Sequence, residues 1–304
     1  MENNADVFKL YSNLPLDFLN PEVILPFPRP GVFLPEYPDI TLIIETLPLQ
    51  LLYSAYMQGS FPWYNEDEGE PVIFYNPHIR FCLQMEKLHI PKSVDRFLKH
   101  CPYTFTMDNA FTRVMEECRN VERKGQNGSW IGQQMIHAYT DFHKKGYAHS
   151  IEAWQDGELA GGLYGVLIGS VFFGESMFTK KDNSSKAAFA VFARSFLECG
   201  GKLIDSQVYT DNIARYGASN ISRTAFLHLE KELLYKPLEK DLLTQFNENS
   251  KNHQPRRTNN RTHKRESGYI SRGELLLALL DCHDATDNKT VLSKSQKPVE
   301  NASS

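Results

Sequence analysis

The stretch 161–178, GGLYGVLIGSVFFGESMF, is the most apolar and glycine-dense run of the chain. A turn signal at Gly169-Ser170 divides it, so 159–167 and 171–177 read as two antiparallel strands. A third strand lies just upstream. Residues 149–154 alternate, and QDGE (155–158) is a hairpin turn. The three strands in succession make a meander. Near the end of its last strand a carboxylate, Glu175, follows Phe172-Phe173-Gly174. Burying a carboxylate is costly unless something pairs with it. Glu175 is therefore either a solvated acid at a strand end or a site residue.

Downstream, Asn183-Ser184-Ser185 predicts the cap of a helix over 186–199, with Phe189, Phe192 and Phe196 on its buried face and Gly200-Gly201 as its stop. A strand over 202–209, KLIDSQVY, follows. Alternation places Leu203, Asp205 and Gln207 on one face and Ile204, Ser206 and Val208 on the other. Two polar groups on one face of a core-flanking strand suggest a site; Asp205 capping a neighbouring loop is the alternative. Meander, helix, strand is the central order of an acetyltransferase-type (GNAT-type) α+β fold.

Upstream, residues 1–40 are rich in proline and read as an irregular, packed segment. A short helix over 49–57 runs into Gly59. Phe61, Trp63 and Tyr64 then crowd around Pro62, as core or as a stacking platform for a base. Residues 86–100 predict a basic helix capped by Ser93, with Lys92, Arg96 and Lys99 on one face and Val94, Phe97 and Leu98 opposite. That face is either simply solvated or a phosphate contact strip. Helices over 108–123 and 130–145 flank a polar turn, KGQNGSW, and the second buries Ile131, Met135, Ala138, Tyr139 and Phe142. The expected division is a small N-terminal domain (1–75), a larger domain (76–238) and a basic, disordered tail (239–304), within which 270–282 reads as a short amphipathic helix.

Composition narrows the function classes. Net charge is −4; residues 251–304 carry ten Lys/Arg against six Asp/Glu, which leaves −8 for the remainder. Any nucleic-acid contact must then come from local patches. Five widely spaced cysteines without a CxxC, and histidines without an HExxH, argue against a disulfide framework and against a metal site. No run is long enough for a membrane helix, and the first residues lack a signal-peptide pattern, so a cytoplasmic location is expected.

Several long motifs resemble the leucyl/phenylalanyl-tRNA–protein transferase family. They are AYMQGSFPW (55–63), SWI (129–131), AYTDFHKKGYAHSIE (138–152), GGLYG (161–165), FFGESMF (172–178), SSKAAF (184–189) and GGKLIDSQV (200–208). The resemblance implies a small N-terminal domain joined to an acetyltransferase-like domain. It implies transfer of Leu or Phe from aminoacyl-tRNA to proteins with N-terminal Arg or Lys, without a cofactor, by a monomer. By the same resemblance Tyr56, Trp63, Trp130 and Tyr139 would hold the terminal adenosine. Leu163, Phe172, Phe189, Phe192, Phe196 and Ile204 would form the side-chain pocket. Glu175 would meet the tRNA terminus or the aminoacyl group, and Asp205 and Gln207 would serve the chemistry. Lys92, Arg96, Lys99 and His100 would lie under the acceptor stem.

The chain also departs from the family pattern. IIETLPLQLL (43–52) stands where a Gly-Gly-Asp-Leu stretch is usual, Ser206 where Cys is common, and Asp95 within the basic strip, where it should weaken the RNA contact. Strict alternation aims Phe173, not Phe172, to the side of Glu175, so the pocket requires a bulge near Gly174. EDEGE (66–70) and Asp211 are candidates for recognising a basic N-terminus. Three alternatives stay open: an acetyl-CoA-dependent acetyltransferase, disfavoured because the loop TKKDNSSKAA (179–188) has no glycine for a pyrophosphate; a non-catalytic tRNA-binding adaptor; and a peptidoglycan-type aminoacyl transferase.

Overall fold

The computed structural model describes residues 27–34, 36–121 and 129–253. In chain order these residues form β1 (Ile40–Ile44), α1 (Leu49–Tyr56), β2 (Phe61–Pro62), β3 (Val72–Tyr75), β4 (Ile79–Gln84), α2 (Lys92–Leu98), β5 (Thr104–Met107), α3 (Phe111–Arg119) and α4 (Gln133–Lys144). There follow β6 (Ala148–Gln155), β7 (Glu158–Ile168), β8 (Val171–Thr179), α5 (Ser184–Glu198), β9 (Leu203–Asp205), α6 (Asp211–Ala214), β10 (Ser219–Ser222), α7 (Arg223–Leu233) and α8 (Leu242–Lys251). β1, β3 and β2 make a small sheet; the large one runs β10-β4-β9-β8-β7-β6-β5.

The meander is present as the pattern predicts: β6, β7 and β8 pair antiparallel in sequence. Asp156 and Gly157 turn the first hairpin with positive φ, as a tight two-residue hairpin turn demands. β9 then returns beside β8 in parallel. Such a pairing needs a crossover, and α5 provides it. The helix can lie close because Gly161 has no side chain; a Cβ there would sit 2.2 Å from Ser184 Oγ.

The bulge that the pocket requires is in place. Tyr164 pairs with Ser176 and Gly165 with Gly174, which leaves Glu175 as the extra residue. Its effect shows in the packing. Phe172 and Met177 belong to the apolar cluster on the α5 side, whereas Phe173 and Phe178 belong to the cluster on the other face. Residues five apart share a face only when one residue is inserted between them.

Several boundaries differ from the sequence reading. The basic helix starts only at Lys92, after Pro91, so Ser93 lies inside it rather than capping it. Asn183 precedes α5 in a left-handed conformation, and its side chain does not cap; Ser184 Oγ instead donates to the Ala160 carbonyl. The strand expected over 202–209 stops at Asp205. The tail expected to be disordered from 239 begins with α8, capped by the Asp241 carboxylate accepting from Thr244 N, with Leu242 and Phe246 buried in the α5-side cluster. The expected tail helix over 270–282, the residues before 27 and most of KGQNGSW lie outside the described residues. Among the described residues, no helix is long and apolar enough to cross a membrane.

Candidate active site

A cleft opens where β8 parts from β9 beyond the bulge. Leu163, Phe172, Met177, Phe189, Ile204 and Ile213 form its apolar walls; Glu175, Ser176, Ser206, Thr210 and Asn212 supply polar atoms. Four expected pocket residues (Leu163, Phe172, Phe189 and Ile204) therefore line one space. The other two, Phe192 and Phe196, pack behind it, with ring centroids 4.4 and 6.4 Å from that of Phe172. The meander's glycines make room for this arrangement. A Cβ on Gly165 would lie 2.5 Å from the Phe172 ring, so only glycine admits the ring across the strand.

Glu175 is 3% exposed, so the solvated-acid reading is excluded. Three donors hold its carboxylate. Tyr56 Oη donates to Oε1 at 2.7 Å, Gln207 Nε2 to Oε1 at 2.6 Å, and Tyr139 Oη to Oε2 at 3.3 Å. The two tyrosine hydroxyls also lie 2.5 Å apart. Burial first, then the nearby carboxylate and Tyr139, pushes the Tyr56 phenol well above its ordinary range, so it stays a donor.

Gln207 reaches Glu175 by a route that alternation does not describe. The chain leaves β9 at Asp205, Val208 N bonds to Ser206 O at 2.7 Å, and Gln207 takes φ 66°. Such a backbone costs a non-glycine residue on the order of 1–2 kcal/mol. Asp205 Oδ1 offsets it by accepting Gln207 N at 2.8 Å. With Nε2 committed to Glu175, Gln207 Oε1 is buried and has no hydrogen-bond partner among the described residues.

Asp205 is not a free base. Arg80, which the sequence reading passed over, grips both of its oxygens: Nε to Oδ1 at 2.9 Å and Nη2 to Oδ2 at 2.6 Å. Both side chains are fully buried. An arginine inside the apolar run IRFCLQ is the signal that would have found it, since a buried guanidinium must be paired.

The remaining expected residues stand apart from the cleft wall. Trp63 and Trp130 are packed in the core, 6% and 5% exposed, on the Tyr56 side of the sheet. Lys92, Arg96, Lys99 and His100 are exposed on α2 and at its end. Arg96 and His100 share a shallow basic hollow with Lys186 and Arg215. Asp95 pairs with Arg194 at 2.7 Å and more loosely with Lys99 at 4.0 Å. In EDEGE, Glu66 accepts Gln134 N, Asp67 pairs with Arg119 and Glu70 accepts Asn65 N. Those three acids hold structure together. Asp211 accepts the Tyr209 hydroxyl at 2.6 Å beside the cleft. Among the described residues no group of three or more acids, histidines and cysteines is placed to hold a metal.

A cleft with apolar walls and a fixed set of donors and acceptors at its edge suits a ligand with an apolar side chain and a polar head. The family model for leucyl/phenylalanyl-tRNA protein transferase matches residues 82–231, and the model for its N-terminal domain matches residues 45–78. The leucyl/phenylalanyl-tRNA–protein transferase of Yersinia pestis (strain Pestoides F) is 43% identical over 212 residues, covering 70% of this chain and 88% of that protein. The relative of the same name in Yersinia pseudotuberculosis serotype O:1b (strain IP 31758) matches equally, at 43% over 212 residues. Among solved structures, L-PGS from Bacillus licheniformis is similar at 14% identity, over 52% of this chain and 65% of that one, with a TM-score of 0.32. A GCN5-related N-acetyltransferase from Kribbella flavida follows at 11%, over 56% and 59%, with a TM-score of 0.29. The chain belongs to the leucyl/phenylalanyl-tRNA–protein transferase family, and is an aminoacyltransferase.

Proposed function

We propose that this protein moves Leu or Phe from aminoacyl-tRNA to the α-amino group of proteins beginning with Arg or Lys, as a cytoplasmic monomer that marks them for degradation. The observation that carries the reading is the cleft itself: an apolar pocket closed at one edge by Glu175, whose carboxylate Gln207 holds. Leu163, Phe172, Phe189 and Ile204 take the transferred side chain, with Phe192 and Phe196 behind them. Each buried methylene adds about 0.8 kcal/mol, which favours Leu and Phe over polar residues. Glu175 meets the aminoacyl group or the tRNA terminus. Trp63 and Trp130, with Tyr56 and Tyr139, form the side toward the terminal adenosine. Lys92, Arg96, Lys99 and His100 lie under the acceptor stem.

The ester is already activated, so the chain has to align the amine and manage one proton. The acceptor's neutral amine attacks the ester carbonyl. The C–N bond forms as the C–O bond to the tRNA breaks, and the proton leaving nitrogen ends on the departing 3′-terminal oxygen. Gln207 Oε1 accepts an N–H of the attacking amine, because its amide is oriented by Glu175. Asp205, held by Arg80, orients Gln207 through its backbone rather than taking the proton.

The direct test mixes the purified chain, Phe-tRNA and peptides beginning with Arg, Lys or Ala. Transfer to the first two and not the third is expected, with Asp205→Ala and Gln207→Ala each losing on the order of a hundredfold in kcat, as for a misplaced reacting group. Transfer to none, with Phe-tRNA still bound, would make the protein an adaptor. Wild-type rates in both variants would remove the assigned roles.

A further inference from the structure

Arg80 touches none of the reacting groups, yet it is bonded to both Asp205 and the segment after α1. Its guanidinium is 0% exposed and makes four hydrogen bonds: Nε to both Asp205 oxygens at 2.9 and 3.1 Å, Nη2 to Oδ2 at 2.6 Å, and Nη1 to the Gly59 carbonyl at 2.7 Å. It lies between two aromatic faces, 4.8 Å from the Phe61 centroid and 4.2 Å from that of Phe226. Phe61 belongs to the GSFPW segment and Phe226 to α7. The side chain is therefore fixed from every side, which a solvated ion pair never is.

Followed outward, the bonds close a ring. Gly59 O accepts from Arg80; Arg80 holds Asp205; Asp205 accepts Gln207 N; Gln207 Nε2 donates to Glu175; and Glu175 accepts from Tyr56. Tyr56 and Gly59 are three residues apart at the end of α1, so the chain of bonds starts and finishes on one short segment. The turn that carries Gln207 is tied to the strand bearing Arg80 as well: Ser206 N bonds to Phe81 O at 2.9 Å, and Phe81 N to Gln207 O at 3.1 Å.

We propose that Arg80 is a positioning residue of the transfer reaction: anchored on the Gly59 carbonyl and gripping both oxygens of Asp205, it holds the left-handed Gln207 turn in place. Lysine cannot replace it, because a single ammonium does not span two carboxylate oxygens and a carbonyl in fixed fork geometry. Glu230 lies near the Arg80–Asp205 pair. Burial holds its carboxyl well above the usual range; Arg80 opposes that shift and Asp205 adds to it.

The inference rests on Gln207 being the group that meets the amine, and the test separates the two. Steady-state kcat and KM for Phe transfer to an Arg-peptide are measured for Arg80→Lys, Gln207→Ala, the double variant and Glu230→Gln. Melting temperatures are recorded alongside. Arg80→Lys is expected to lower kcat about tenfold or more while KM for Phe-tRNA stays within about twofold, as for loss of an interaction made in the transition state. The double variant should be no slower than Gln207→Ala alone, because Arg80 acts only through Gln207. Glu230→Gln should behave as wild type.

A lowered melting temperature with unchanged kcat, or losses that multiply in the double variant, would reduce Arg80 to a structural ion pair. Wild-type rates in Gln207→Ala would instead remove the role assigned to Gln207, and no transfer by the unsubstituted protein would overturn the functional reading. Should Arg80→Lys fail to fold, Arg80→Met with Asp205→Asn removes both buried charges together. It is compared with Asp205→Asn alone: equal kcat supports the inference, and a further tenfold loss overturns it.

Discussion

At the scale of single residues, the charge buried beside the cleft is held in place. Glu175, Asp205 and Arg80 satisfy one another through Gln207 and the tyrosines, and each is 3% exposed or less. Glu152 is a further buried acid, in the motif AHSIE. It accepts from Ser150 Oγ and Thr106 Oγ1, both at 2.5 Å, and from Ala110 N at 3.2 Å. Burial nonetheless pushes its carboxyl up from 4.5 to about 6; the three hydrogen bonds pull it down and Asp108 pushes it up. The folded protein therefore keeps a proton that the unfolded chain releases between these values. The stability that Glu152 contributes is complete below its unfolded pKa and is lost as pH rises through about 6. Urea unfolding of wild type and Glu152→Gln at pH 4 and pH 7 measures this. The wild-type stability should fall by about 2 kcal/mol relative to the variant across that range. A difference that does not change with pH would show that Glu152 titrates normally.

At the scale of elements, what was legible followed periodicity, and what was not depended on partners distant in sequence. The meander and its hairpin turns follow from local patterns, because alternation and glycine placement are properties of adjacent residues; the bulge is required only because the family resemblance places Phe172 in the pocket, against simple alternation. The caps misled at Ser93 and Asn183, where a proline and a left-handed residue set the helix start instead. Arg80 was invisible because its meaning lies in Asp205, 125 residues away. Asp205 and Gln207 were found by a two-residue period that ends at Asp205, and it is the turn that brings Gln207 to Glu175. The bulge gives a sharper test than any cap. A Cβ on Gly165 would lie 2.3 Å from Phe173 O and 2.5 Å from the Phe172 ring, whereas one on Gly174, its cross-strand partner, meets nothing nearer than Asp205 O at 3.6 Å. Gly165→Ala should cost about 1–3 kcal/mol by chemical denaturation, the range for overpacking. Gly174→Ala should change stability by less than about 0.5 kcal/mol. Equal costs at both positions would mean that strand entropy, not crowding around Phe172, selects glycine at Gly165.

At the scale of the whole molecule, the cleft depends on a layer that composition concealed. Phe172 is backed by Phe192 and Phe196 on α5, and α8 packs across α5 and β5 from the far side. The stretch after 237 averages out as polar because a few buried side chains are diluted by the long basic segment that follows. Within it, Asp241 starts the helix, and Leu242 and Phe246, spaced at i and i+4, share the face that enters the core. Phe246 is 0% exposed. Were this region the unstructured tail that its composition suggested, Phe246→Ala would leave stability unchanged. As part of the core it should cost about 3–5 kcal/mol, the usual range for a buried phenylalanine. The loss should also loosen α5, so the KM for Phe-tRNA is expected to rise before the protein unfolds, since the pocket's back wall is the first thing α8 supports. Urea titration and transfer kinetics on the full-length variant test both statements. An effect under about 0.5 kcal/mol, the level of an ordinary surface change, would detach α8 from the core and leave α5 to hold the pocket alone.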